Sequence, residues 1–318
     1  MKRSLGLGLV GAVLFVPISA SAEVVWVGDF EGGNLDEWSG VLNGETISVV
    51  GDPTSSGTQA GRIQLTNDSV WPNGLKRVEL NHRPDDARTA EGAQTFFAWS
   101  FYLPETLPDD PSQQIGYWES NQSYQQMMAF EVSGENIRFD TRQPQNQNHW
   151  NQDGVVTAGT WHRIAMRIFW SKDPAQGQVD VWFDGEQVVT GAGAKTLADD
   201  NAHFTQVGLL RGAFEFNDSP VIVIDDAAEG DTLEDVRPDA LSEGTGGSGG
   251  SGPGPATTAA ATTGSGPSSS AATGAGATTG SGAGGGAAED GDADDDGCRS
   301  STGGFAGAWA LLARAIAA

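Results

Sequence analysis

The sequence predicts an all-β protein, a two-sheet jelly-roll β-sandwich followed by a disordered low-complexity linker. Three observations predict it. Between residues 23 and 242, apolar residues recur with period two and are interrupted by Gly, Pro, Asn and Asp, the pattern of half-buried strands joined by turns. No apolar stripe with helical spacing runs for ten or more residues there. Nine tryptophans fall in the same stretch, enough aromatic bulk to fill the space between two sheets.

Residues 1–22 form the first segment. Lys2 and Arg3 precede an apolar run from Leu5 to Ile18, and Ala20-Ser21-Ala22 ends it. This is the layout of a secretory leader cleaved before Glu23, and its apolar part is too short to span a bilayer. The mature chain is therefore expected outside the cytoplasm. In residues 23–242, Thr95, Phe97, Trp99, Phe101 and Leu103 share one strand face, and Pro104 stops the run. Met127, Ala129 and Glu131 oppose Met128, Phe130 and Val132. Ile137 and Phe139 oppose Asn136, Arg138, Asp140 and Arg142. Residues 161–170 read as a long strand, apolar on both sides at its far end, with His162 a structural residue inside it. Val179, Val181 and Phe183 alternate before Asp184-Gly185, a hairpin signal, and Val221 to Ile224 is a late strand. The segment from Gln143 to Gln152, rich in Asn and Gln, reads as a cleft loop able to hydrogen-bond sugar hydroxyls, or simply as a polar loop.

At Glu243 the composition changes. Residues 243–297 hold no large apolar side chain and end in an acidic patch from Glu289 to Asp296. Such a segment buries too little surface to offset chain entropy and is expected to be a flexible linker. Residues 298–318 contain Cys298, Arg299, a small spacer and an apolar stretch from Phe305 to Ala318.

The chain has 17 basic and 42 acidic residues, so its net charge is 17 − 42 = −25. The span 23–242 keeps 13 basic and 35 acidic residues, or 13 − 35 = −22, and only three of its basic residues are Lys. Phosphate-tracking surfaces are basic, so nucleic acid is excluded as a partner. The charge suits either a protein working in salt or simple acidic solubility. One Cys rules out an intrachain disulfide and a Cys-rich metal centre.

Seven segments occur in a telling order: FEGGNLDEW (Phe30 to Trp38), RVELNH (Arg77 to His82), FFAWSFYLP (Phe96 to Pro104), GTWHRIAMRIFW (Gly159 to Trp170), VDVWFDGEQV (Val179 to Val188), VGLLRG (Val207 to Gly212) and VIVIDD (Val221 to Asp226). Together they resemble polysaccharide lyases of the heparin-lyase and glucuronan-lyase type, whose fold is a concanavalin A-like jelly roll. The tail from Cys298 resembles the C-terminal sorting signals of myxobacterial surface proteins, with Arg314 alone standing for their terminal arginine run. That second resemblance implies retention at the outer cell surface.

The first resemblance implies β-elimination on a uronate polymer. That reaction needs a group to neutralise the uronate carboxylate, a base for the C5 proton and an acid for the departing O4. Arg77, Glu79 and Asn81 share one face of the RVELNH strand, while Val78 and Leu80 point the other way. By resemblance Arg77 binds the uronate carboxylate; read from the residues alone, it could equally form an ion pair with Glu79. Where the family carries Gln-x-His, this chain has Tyr117-Trp118-Glu119, and the family's Tyr-x-Lys-x-Gly-x-Tyr corresponds to Phe204 to Leu210, without the Lys or either Tyr. Tyr117, Glu119, His82, His149 and Tyr124 are the remaining candidate proton carriers; a nearby Arg would have to lower a Tyr pKa for it to act as base. Asn81, Arg138, Arg142, Trp118 and Trp150 are candidates for binding sugar, the arginines by making the groove locally positive and the tryptophans by stacking.

No cofactor is required. The fold resemblance implies a structural Ca²⁺ where first and last strands meet, with Glu31 and Asp225 as oxygen ligands. The expected partner is an acidic polysaccharide, with no transmembrane span in the mature domain and a monomeric chain. Two other classes remain open: a non-catalytic carbohydrate-binding module, and a glycoside hydrolase using Glu79 and Glu119, which would need carboxyl groups ~5–9.5 Å apart.

Overall fold

A computed structural model describes residues 24–109 and 112–237. The expected leader, linker and sorting tail lie outside these residues. The chain divides into units Met1–Ser251 and Gly252–Ala318, and the second also lies outside them.

The described residues form fifteen strands and three short 3₁₀ turns. In chain order the strands are β1 (Val24–Gly28), β2 (Gly40–Leu42), β3 (Ile47–Val50), β4 (Ala60–Gln64), β5 (Lys76–His82), β6 (Gln94–Tyr102), β7 (Gln113–Ser120), β8 (Gln126–Ser133), β9 (Asn136–Thr141), β10 (Gln147–Gln152), β11 (Trp161–Phe169), β12 (Gln178–Phe183), β13 (Glu186–Gly193), β14 (His203–Arg211) and β15 (Val221–Gly230). One sheet runs β13-β12-β11-β6-β15-β4-β3, with β1 also paired to β15. The other runs β10-β9-β8-β7-β14-β5-β2. Every pairing is antiparallel. This is the predicted all-β jelly-roll sandwich. Among the described residues no helix is long and apolar enough to cross a membrane.

Alternation decides which side of each strand enters the core. Phe97, Trp99, Phe101 and Leu103 of the β6 region are buried against Ile115, Trp118, Phe130 and Phe139 of the facing sheet. Burying each such side chain contributes about 1.5–3 kcal/mol. Gly116 sits opposite Trp99, where an added Cβ would come within 2.6 Å of the indole. The last two strands enter the middle of the sandwich: β15 lies between β6 and β4, and β14 between β7 and β5.

Two expectations change. The last strand does not end at Ile224; it continues to Gly230 across a bulge between Asp225 and Ala228, where Asp226 takes φ 48°. A bulge shifts the alternation by one residue, so a period-two reading stops there. The polar segment expected as a loop contains β10, the edge strand beside β9. A register shift between Asn148 and Trp150 turns the Trp inward while its polar neighbours stay outside.

A buried polar cluster on one sheet face

β5, β14 and β7 lie side by side, and their register builds the candidate site. Gln206 of β14 pairs with Asn81 on one side and Tyr117 on the other. Gly208 pairs with Glu79, and Phe204 with Glu119. Because Val78 and Leu80 fill the core, Arg77, Glu79 and Asn81 project from the opposite face. Arg77, Glu79, Asn81, Tyr117 and Glu119, all proposed from sequence, meet there around Gln206.

The hydrogen bonds are continuous. Arg77 donates from Nε to Glu79, and from Nη2 to the Tyr117 phenol and, at 2.7 Å, to Gln206 Oε1. Asn81 donates to the same Gln206 oxygen at 2.7 Å. Gln206 in turn donates from Nε2 to Glu119, and Tyr117 donates to Glu79 at 3.3 Å. Arg77 Nη1 takes part in none of these bonds. The Trp71 ring lies 5.8 Å from the guanidinium carbon. All six side chains are nearly excluded from water, with Arg77 5% and Tyr117 3% exposed.

Burial sets the protonation of the cluster. Desolvation alone would depress the Arg77 pKa, but Glu79, Tyr117 and Glu119 more than offset it and hold the guanidinium above its ordinary value. Desolvation raises Glu79, against the pull of Arg77. Tyr117 rises well above the phenol value, through burial first and the Glu79 carboxylate second. This reverses the expectation that a nearby Arg would lower a tyrosine here: Arg77 does touch the phenol, yet burial and two carboxylates outweigh it. Glu119 is pushed up to about 8 by desolvation, only partly countered by Arg77.

Arg138 and Arg142 lie on the same sheet face, but Glu131 bonds to both guanidinium groups and Asp140 lies 3.3 and 3.5 Å from them. Their charges are matched in place, so they do not by themselves make the groove positive.

Four other candidates are placed elsewhere. His82 points into the core, stacked on Trp26 at 3.7 Å and bonded to Glu229 at 2.5 Å. Alternation explains it, since His82 follows Val78 and Leu80 on the inner face. Trp118 is 1% exposed and packs edge-on against Phe97 and Trp170, so it cannot stack on a sugar. Trp150 is buried against Phe183 of the other sheet. His149 binds Thr141, on the inward side of β9, at 2.7 Å and stands apart from the Arg77 cluster. His162 is structural as expected, held between Asp184 and the Thr157 amide.

First and last strands do meet, with Val27 opposite Ala228. Glu31 accepts from the Thr58 and Gln59 amides, and Asp225 from those of Ser55 and Ser56. Each carboxylate is committed to the 55–59 loop. Among the described residues no group of three or more His, Cys, Asp or Glu is arranged to hold a metal.

Gln206, the hub, and Arg83, its neighbour, are not among the residues that the sequence motifs mark out. Arg83 continues the odd-numbered face of the RVELNH strand, and its guanidinium carbon lies 4.8 Å from the Phe204 ring centre. Carrying the alternation two residues further would have found it.

No curated protein matches the sequence. Among solved structures, the endo-β-1,4-glucuronan lyase of the fungus Trichoderma reesei is 24% identical, covering 68% of this chain and 99% of that one with a TM-score of 0.57, which shows a shared fold. The glycoside hydrolase family 131 catalytic domain of Coprinopsis cinerea is 17% identical over 66% of this chain and 95% of that one, with a TM-score of 0.49. An alginate lyase of polysaccharide lyase family 7 is 11% identical over 59% of this chain and 83% of that one, with a TM-score of 0.44. The family model described as polysaccharide lyase matches residues 30–228, which include every member of the cluster. The chain belongs to the polysaccharide lyase family.

Proposed function

We propose that this lyase cleaves a uronate-containing polysaccharide by β-elimination, with Arg77 seating the uronate carboxylate and Glu119 and Tyr117 handling the protons. The observation that carries this is the Arg77–Tyr117–Glu119 arrangement around Gln206. Arg77 Nη1 is left over from the internal hydrogen bonds and can donate to a ligand carboxylate. Neutralising that carboxylate stabilises the charge that develops when C5 loses its proton.

The two proton carriers divide the work by their environments. Glu119, titrating near 8, takes the C5 proton in its ionised form. Tyr117, its pKa far above neutrality, remains a donor and gives its proton to O4 as the C4–O4 bond breaks. The phenolate so formed lies against Arg77 Nη2 until the proton on Glu119 is returned to it through solvent. The products are a C4=C5 double bond on one fragment and a free hydroxyl on the other. Glu79 accepts from both Arg77 and Tyr117 and holds the guanidinium in register.

Incubating the full chain with a panel of uronate polymers tests the reading. Ultraviolet absorbance from the unsaturated product is expected. New reducing ends without that absorbance would identify a hydrolase, and gel retardation without cleavage a binding module. The leader-like residues 1–22 and the sorting-like tail support action outside the cell, at its outer surface.

A further inference from the structure

The sheet face that carries the cluster holds four guanidinium groups, on the strands described above and their immediate ends: Arg77, Arg83, Arg138 and Arg142. Three are matched by carboxylates, Arg77 by Glu79 and the other two by Glu131 and Asp140. Arg83 makes no ion pair and no side-chain hydrogen bond among the described residues, in a chain with 42 acidic residues. The side chain is exposed to solvent, yet two contacts orient it. Its backbone amide is anchored on Ser39 Oγ at 3.0 Å, and its guanidinium lies over Phe204. Phe204 is 2% exposed although it belongs to the polar face, opposite Glu119. A guanidinium laid over an aromatic ring keeps its planar fork oriented and its edge donors free for a planar anion.

Its position matters. Arg77 and Arg83 are six residues apart on one strand line, ~20 Å between Cα atoms. The Arg77 head leans along the strand to Gln206, which pairs with Asn81, only two residues before Arg83. Glu119, opposite Phe204, is within electrostatic reach of both charges.

We propose that Arg83, braced on Phe204, is a second carboxylate clamp beside the Arg77 seat, so that the cleft is built for a run of consecutive uronates and not for a uronate isolated among neutral sugars. This rests on the β-elimination reading of the same site. Elsewhere the domain repels a polyanion, and a further cation, one not paired with a carboxylate, is what would hold the neighbouring sugar of an all-uronate chain.

The test uses the full chain and the R83Q and R83K variants. Kinetics are run on polyglucuronate, and affinity gels contain either polyglucuronate or hyaluronan, in which uronate alternates with a neutral hexosamine. On polyglucuronate R83Q is expected to raise KM about tenfold with kcat within about threefold, equivalent to ~1.4 kcal/mol of lost binding, and R83K to fall between R83Q and the parent. Retardation of R83Q should weaken in polyglucuronate gels and stay unchanged in hyaluronan gels. An unaltered KM, equal weakening in both gels, or a loss confined to kcat would overturn the clamp. If the parent cleaves no uronate polymer, the β-elimination reading fails, while the two gels still decide whether Arg83 selects consecutive uronates.

Discussion

Arg77 and Tyr117 touch: the guanidinium Nη2 donates to the phenol oxygen across the intervening strand β14. One buried cation thereby holds a proton donor and, through Nε, a carboxylate. Replacing Arg77 by Ala is expected to lower kcat/KM by about 10²–10³-fold, the scale of losing one preorganised charge-stabilising donor. Arg77→Lys should recover little, because a point charge cannot serve Glu79, Tyr117, Gln206 and a ligand together. Initial rates on a uronate polymer check this, read on protein shown to be folded by circular dichroism. Removing Arg77 also strands Glu79 in a buried site, at about 3–5 kcal/mol.

Tyr117→Phe keeps the ring and removes only the proton donor. Activity is expected to fall about 10²–10⁴-fold, while the melting temperature changes by a few degrees at most. A variant that keeps more than a tenth of the parent rate would transfer the acid role to another group.

Glu119 gives a pH signature. As the base it must be ionised, so kcat/KM should climb with pH through about 8, and Glu119→Gln should abolish most activity and remove that limb. A rate that falls across the same range would make Glu119 the acid. The stability effect has a definite sign. Burial raises the folded-state pKa above the ordinary 4.5, so between 4.5 and about 8 the folded state binds more protons, and stability drops as pH rises. Glu119→Gln should therefore gain thermal stability relative to the parent at about pH 9 and show little gain at about pH 4.

Gly208 supports Glu79 from the neighbouring strand. Its φ is +144°, and an added Cβ would come within 2.3 Å of the Val78 carbonyl oxygen and 2.9 Å of the Glu79 Cα. Gly208→Ala is expected to push β5 and β14 apart, costing about 1–3 kcal/mol and lowering kcat more than it changes KM. Denaturant unfolding and steady-state kinetics measure the two effects.

Trp118 separates a packing role from a sugar-binding one. Trp118→Ala should destabilise the domain by about 3–5 kcal/mol, and Trp118→Phe should retain KM. A raised KM in a stable Trp118→Phe protein would contradict the placement of this ring in the core.

Much of the fold was legible because period two is a local property. The β6 residues from Thr95 to Leu103 alternate in the sequence and do so in space, and RVELNH presents Arg77, Glu79 and Asn81 together for the same reason. The misreadings share a cause. The chemistry of His82 and Trp118 suits a site, but the alternation of their own strands sends each side chain inward. Trp150 and the end of β15 were lost to bulges, which shift the phase without a sequence mark.

The sequence by itself determined the all-β class, the charge, and which residues of a given strand share a face. It also put an Arg and a Glu two positions apart on the strand that became the site. Only the tertiary structure decided which strands became neighbours. Gln206 reaches Arg77 from 129 residues away and joins it to Tyr117 and Glu119 because β14 enters between β5 and β7. It also decided which groups hold their protons, since desolvation depends on what covers a side chain. Alternation names the face of a strand; the order of strands in the sheet, set by packing of the whole core, names the partners.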